Sequence, residues 1–299
     1  MDHATPGERW TAQQLAELRR RRFSAPALAS FLRASQLQAR RTRRARNDLA
    51  RQARQWIAAS ALGWLALCTI RPPARRPPVR AGLLWWAACA AMLDWHLGMV
   101  ETPSGQPRRL GPSDALTLLR AWLVPLAWQQ PTAAMCAIAA LSDAADGPIA
   151  RRGEPTRAGR DFDWIVDACF ATAALRGCRR QRLLDTWAVC AEAAWLGTGA
   201  VRATAAYFAR SARPDRSLTR RARPFAPMRA AGVVCAAAGH RRAGSLLLGT
   251  GALASLAVSA TGLLPRLAAP GAPTTNAAPR GRQAHSALAV QAPAQAVSS

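Results

Sequence analysis

Residues 141–167 read LSDAADGPIARRGEPTRAGRDFDWIVD, and everything else about the chain is most easily understood from this stretch. Asp143 and Asp146 are three residues apart, and Asp163 and Asp167 are four apart. At about 100° per residue, each pair lies on one face of a helix. Gly153, Glu154 and Pro155 interrupt the helical pattern between the pairs, so the two helices are expected to turn back antiparallel. That arrangement brings four carboxylates to one end of a helix pair. Asp161 is two residues from Asp163, faces elsewhere, and is expected to be solvated.

The residues around this stretch are apolar, which makes four converging carboxylates expensive. Each would cost on the order of 2.5–3.5 kcal/mol if carried to the centre of a bilayer, and together they repel. A cation is therefore required. Arg151, Arg152, Arg157 and Arg160 could supply one as a structural ion-pair network. The alternative is a divalent metal, since hard carboxylate oxygens suit Mg²⁺ or Mn²⁺ bridging to substrate phosphates. Gly147 and Gly159 stand at fixed offsets from the acid pairs. Missing side chains there would leave room for a nucleotide ring or phosphate against the backbone.

Outward from this centre, apolar blocks alternate with arginine-rich stretches. They fall at about 56–70, 82–100, 115–128, 132–141, 164–175, 186–208, 225–239 and 243–264. Several are shorter than the roughly 20 residues of a membrane span; counting their polar ends lengthens the fourth and fifth. Residues 1–54 are polar and Arg-rich, with Trp10, Leu15 and Leu18, and then Ala27, Phe31 and Ala34, near helical spacing. They read as an arm in short helices, in contact with an anionic membrane surface. The tail from residue 265 is rich in Ala, Pro, Gly and Ser without periodicity, and is expected to be disordered.

The formal charge is +25 over 299 residues, with Arg as the basic residue throughout and no Lys. Nucleic-acid binding is disfavoured, because the arginines flank apolar segments and do not gather on one folded face with aromatics. The seven cysteines contain no C-x-x-C pair and lie mostly in apolar stretches, which supports neither a disulfide framework nor a zinc site. Arginine bias places the arm and the stretch 209–224 on the cytoplasmic side, and the aspartates with them. Residues 71–80 and 176–182, each with four Arg, fall on the opposite side in that scheme. The fold expected is thus all-α: a polytopic membrane helix bundle whose six-helix core is preceded by one or two additional apolar segments, spanning or re-entrant, at 55–101.

The pattern D-x2-D-G-x2-A-R-x7-G-x3-D-x3-D resembles the motif of the CDP-alcohol phosphatidyltransferases. It reads here as Asp143, Asp146, Gly147, Ala150, Arg151, Gly159, Asp163 and Asp167, complete over 25 positions. The family also tends to show P-N-x-L-T-x-x-R at the start of its first core helix. Pro112, Leu116, Thr117 and Arg120 stand in that frame, with an inserted Ser113 and with Asp114 where Asn is usual. The resemblance implies a membrane core over residues 112–264, multi-pass in the cell membrane, with its active site facing the cytoplasm. It implies that Asp143, Asp146, Asp163 and Asp167 bind Mg²⁺ or Mn²⁺, and that Asp167 also acts as general base. By the same resemblance Gly147, Ala150, Arg151 and Gly159 line the CDP pocket. The reaction implied moves a substituted phosphate from a CDP-alcohol lipid such as CDP-diacylglycerol to an alcohol or phosphorylated alcohol, releasing CMP, in phospholipid biosynthesis. Family members often dimerise, so a homodimer is also implied.

In such enzymes a basic pocket often holds an acceptor phosphate, for which Arg202 and Arg210, with Arg213 and Arg216 beyond, are candidates. Arg202 has apolar neighbours in sequence and so needs a partner or a ligand; Arg210 also fits positive-inside anchoring. Two other readings compete. A UbiA-like prenyltransferase also sets Asp-rich motifs around a diphosphate, but on separated helices and without the Gly and Ala-Arg offsets. A catalytically inactive membrane-anchored binding protein would use the basic arm to recruit partners. Asp94 and His96 form one further polar pair in an apolar run, too close in sequence to share a helix face.

Overall fold

The computed structural model describes residues 6–70, 79–102, 104–152, 156–209 and 220–261. The tail expected to be disordered, the Gly153–Pro155 breaker and Arg210 lie outside these. The described residues are helical with no strand; a lone bridge joins Glu101 to Pro107. In chain order the helices are α1 (Pro6–Arg20), α2 (Ala25–Ala45), α3 (Asn47–Ile70), α4 (Val79–His96), α5 (Pro112–Gln129), α6 (Ala133–Arg152), α7 (Arg157–Arg180), α8 (Thr186–Thr204), α9 (Ala226–Ala237) and α10 (Arg241–Thr261). A π-helical turn, Ala205–Ala209, continues α8.

Each apolar block became a helix, and the largest extensions are at polar ends. The block at 132–141 grew to Arg152 and that at 164–175 reached back to Arg157, so the aspartates ride on helices whose apolar turns anchor them. Thr156 starts α7 as its N-cap, its Oγ1 accepting from the Gly159 N–H at 2.9 Å, which satisfies one of the first-turn donors. Asp114 closes the start of α5 in a related way, Oδ2 accepting from the Gly111 N–H at 2.8 Å. Pro125 lies inside α5 and cannot donate to the carbonyl of Ala121 four residues back. That carbonyl accepts instead from the indole N–H of Trp85 on α4 at 2.8 Å.

Helices α5 to α10 form the core, with α7 packed along α5 and α10 along both α8 and α9. Gly232 and Gly244 allow the α9–α10 approach. A Cβ on Gly232 would sit 2.5 Å from the Leu248 backbone N, and one on Gly244 would sit 2.7 Å from the Ala236 backbone N. Gly232→Ala must therefore push two backbones apart and should cost about 1–3 kcal/mol. Gly197 on α8 has open space within 4 Å, and Ala there should be neutral or stabilising by up to about 1 kcal/mol. Thermal unfolding in detergent of the two variants side by side checks the contrast.

A buried ion pair ties α8 to α9. Glu192, 3 % exposed, accepts from both Nε (2.8 Å) and Nη2 of Arg229, whose guanidinium lies 5.2 Å over the ring of Trp195. The α7–α8 turn is tied to α10 through Asp185, whose carboxylate meets Arg241 Nη2 at 2.6 Å and whose N–H donates to Ser245 Oγ at 2.8 Å.

The segments before the core are integrated with it. Helices α3 and α4 join α5 through tryptophans: Trp64 meets Trp122 edge-on at 5.7 Å, and the Trp122 indole N–H donates to the Ser60 carbonyl at 3.1 Å. Gly82 makes room for Trp64, whose indole lies 2.2 Å from where a Cβ would be. The arm is fastened rather than free. Arg43 of α2 pairs with Asp94 of α4, which accounts for that aspartate, while His96 stacks edge-on against Phe162 at 5.3 Å. Arg46 donates to the carbonyls of Leu97 (3.2 Å), Val100 (2.9 Å) and Arg108. The Gln52 side chain bonds both the N–H and the carbonyl of Leu110 at 3.0 Å. Arg46, on the arm expected at a membrane surface, thus satisfies backbone carbonyls of the connection leading into α5.

Candidate functional site

The site lies where α5, α6 and α7 meet at their aspartate-bearing ends. Asp143 of α6 and Asp163 and Asp167 of α7 each offer a carboxylate oxygen, and these lie within 4.8 Å of one another. Asp143 is exposed, and the side chains of Asp163 and Asp167 are about one-third exposed. Asp146 falls outside this trio and is buried, its Oδ2 lying 3.4 Å from Arg120 Nη2 on α5.

Among the described residues, the cation beside these acids is Arg120 of α5, 1 % exposed. Its Nη2 meets Asp163 Oδ1 and lies 3.4 Å from Asp146 Oδ2, and its Nε lies 2.9 Å from Asp167 Oδ1. One guanidinium fork thus fixes three carboxylates drawn from two helices. Arg120 appeared in the sequence as part of the frame opening α5, with no partner indicated. Of the arginines expected as counter-charges, Arg157 is engaged elsewhere. Arg157 is buried and engaged at the base of α7, where it pairs with Glu8 of the arm and its N–H donates to the Glu101 carbonyl at 3.0 Å. The side chains of Arg151, Arg152 and Arg160 lie outside the described residues, as do those of Asp161 and Ala150.

Gly159 sits between Thr156 and Asp114. A Cβ there would lie 2.8 Å from Thr156 Oγ1 and 3.0 Å from Asp114 Oδ1, so the bare backbone is what lets α7 start this close to α5. Asp114, where an Asn was the usual residue, therefore faces the same small space as Gly159. Gly147 lies within α6, one residue beyond Asp146. Arg202 on α8 is half-buried, and its Nη2 is enclosed with no hydrogen-bond partner among the described residues.

Three oxygen donors within 4.8 Å of each other, with no nitrogen or sulfur among them, suit a hard divalent cation such as Mg²⁺ or Mn²⁺. Asp146 Oδ1 adds to the fit, because it is buried without a hydrogen-bond partner among the described residues. Such an orphan acceptor is costly unless a cation or water answers it.

Residues 113–260, about half of the chain, match the family model described as CDP-alcohol phosphatidyltransferase. The chain belongs to that family. No curated protein and no solved structure matches it. The CDP-alcohol phosphatidyltransferase match begins at the first turn of α5 and ends with α10, so it contains Arg120 and all four aspartates. Helices α1 to α4 lie outside it. The family is one of membrane-integral phosphotransferases that move a phosphate-alcohol group from a CDP-alcohol, typically with divalent metals. Among the described helices, α10 is long and apolar enough to cross a membrane by length and composition, over Arg241–Ala260.

Proposed function

We propose that the protein is a multi-pass membrane enzyme that transfers a phosphatidyl group from CDP-diacylglycerol to an alcohol acceptor, with release of CMP, at the cytoplasmic surface. The observation that carries this reading is the set of Asp143, Asp163 and Asp167 oxygens gathered within 4.8 Å inside a family match that covers the complete motif. A multi-pass placement is supported by large apolar side chains facing outward along several helices, including Leu62, Leu84, Leu141, Val201 and Leu246, each 59–73 % exposed. An aqueous surface would not carry so many on successive helices, whereas hydrocarbon favours them.

The residues divide the work as follows. Asp143, Asp146, Asp163 and Asp167 would hold Mg²⁺ or Mn²⁺, which when bound neutralises charge on the diphosphate and its leaving group. Gly159, with Gly147, Ala150 and Arg151, would bound the cytidine diphosphate. Asp167 takes the proton of the acceptor hydroxyl as its oxygen attacks the lipid-side phosphorus. The phosphorus–oxygen bond to CMP breaks, and CMP leaves with the electron pair. Arg120, whose Nε lies 2.9 Å from Asp167 Oδ1, holds that carboxylate in position. Arg202, with an enclosed and unpartnered nitrogen, is the candidate for a phosphate on the acceptor, with Arg210 beyond it in sequence. Positioning supplies much of the rate in such a reaction.

The test is CMP release by purified protein given CDP-diacylglycerol, Mg²⁺ or Mn²⁺, and a panel of glycerol-3-phosphate, inositol-phosphate, serine and phosphatidylglycerol. At least one acceptor should release CMP, and chelation of the metal should abolish it. Release with no acceptor above an Asp167→Asn control would overturn the reading for these substrates. An isoprenyl diphosphate in the same format tests the prenyltransferase alternative.

A further inference from the structure

Helix α4 carries Trp85, Ala88, Cys89, Met92 and Leu93 at the i, i+3, i+4, i+7, i+8 spacing of a single helix face. In a close-packed bundle such a face would be pressed against its neighbours. Here it is one wall of a cavity of about 240 Å³, whose other walls are faces of α5 and α7. The cavity is elongated along the helices. From Trp85 to Leu93 on α4, and from Gly159 to Cys169 on α7, the rise of 1.5 Å per residue gives roughly 12–15 Å. One leaflet of a bilayer has about the same depth, half of a hydrocarbon core of about 30 Å.

Its chemistry is graded from end to end. At the Trp85 end the one polar atom, the indole N–H, is already engaged by the Ala121 carbonyl, and carbon and sulfur side chains make up the rest of that wall. Polar side chains stand at the other end, where Asp114 and Thr117 face the cavity beside Gly159. The aspartate site adjoins this end through Asp163, which stands one helical turn beyond Gly159 on α7. An apolar space of this size takes an apolar ligand rather than water, and protein interiors do not keep such voids by default.

We propose that this cavity seats one acyl chain of the CDP-alcohol lipid, its head held at the aspartates and its chain running between α4, α5 and α7. The proposal rests on the transfer reading above for where the head group sits. It gives α4, which lies outside the family match, a direct part in the substrate site as the wall that selects chain length and bulk.

A CDP-diacylglycerol bearing a photoactivatable diazirine near the end of one chain, irradiated with the full-length protein in phosphatidylcholine nanodiscs, tests this without turnover. Adducts are expected on α4 between Trp85 and Cys89 and on Cys169, suppressed by excess unlabelled CDP-diacylglycerol and not by excess phosphatidylethanolamine. Adducts confined to outward-facing residues such as Leu84 would overturn the proposal. So would cavity adducts that phosphatidylethanolamine removes equally well, which would make the cavity a site for bulk bilayer lipid. A second arm uses Ala88→Phe, at an exposed position on α4 where the new ring narrows the cavity. KM for the dioleoyl substrate should rise about tenfold, the effect of taking two methylenes out of an apolar site, while KM for a dihexanoyl substrate stays unchanged. Equal effects on the two chain lengths would overturn the proposal. Absence of CMP release with every acceptor would sink the transfer reading, while the adduct pattern would still decide the cavity.

Discussion

Asp167→Asn is expected to lower the rate of CMP release by about 10²–10⁴-fold, the usual contribution of a positioned general base. The amide keeps the size and shape of the carboxylate, and its oxygen can occupy the position now 2.9 Å from Arg120 Nε. Folding should therefore be preserved, and thermal unfolding in detergent should stay close to that of the unchanged protein. What the amide cannot do is accept the hydroxyl proton as the new phosphorus–oxygen bond forms. Asp143→Asn is the informative companion. Asp143 shares the oxygen cluster but makes no contact with Arg120, so its loss should raise the Mg²⁺ or Mn²⁺ concentration needed for half-maximal rate. A rate for Asp167→Asn within about tenfold of the unchanged protein at saturating metal would remove Asp167 from the role of base.

Arg120→Ala should be the most destabilising single change in the core. Breaking a buried ion pair by removing one partner costs about 3–5 kcal/mol, because the charge left behind has no compensation. Three carboxylates share Arg120, but they are not equally exposed to that loss. The Asp163 and Asp167 side chains are 33 % and 37 % exposed and can turn to solvent, whereas Asp146 is 10 % exposed in its side chain and already has one orphan oxygen. The lower end of the range, about 3 kcal/mol, is therefore expected. That corresponds to a fall in Tm of roughly 6–12 °C for a domain of this size. Arg120→Lys should fall between, keeping the charge but losing the fork that reaches two helices at once. Millimolar Mn²⁺ should restore part of the lost Tm in Arg120→Ala, because a divalent cation answers the same carboxylates. An unchanged Tm for Arg120→Ala would show that the aspartates do not depend on this guanidinium.

The helices and the acid motif were legible in the sequence because both are local. The spacing of Asp143, Asp146, Asp163 and Asp167 follows from a 3.6-residue period, and the apolar blocks marked each helix to within a few residues, apart from their polar ends. Those ends were shortened in the reading because charge masks periodicity there, as at Arg157–Asp163 on α7. The convergence of the acids was read as four equal carboxylates. The structure gathers oxygens of Asp143, Asp163 and Asp167 within 4.8 Å and leaves Asp146 buried against Arg120.

What the sequence by itself determined, then, is the family, the helical class and the spacing of the four aspartates. Tertiary structure alone decided which cation holds those acids, since Arg120 lies 26 residues from Asp146 and 43 from Asp163 and no local rule pairs them. It likewise decided that Glu192 meets Arg229, that the arm's Arg43 and Arg46 turn inward, and that α4 stands off α5 and α7 enough to leave a cavity. The physical reason is common to all four. Periodicity states which residues share a face of one helix, but the rotation and separation of neighbouring helices are set by side-chain packing summed over the whole bundle.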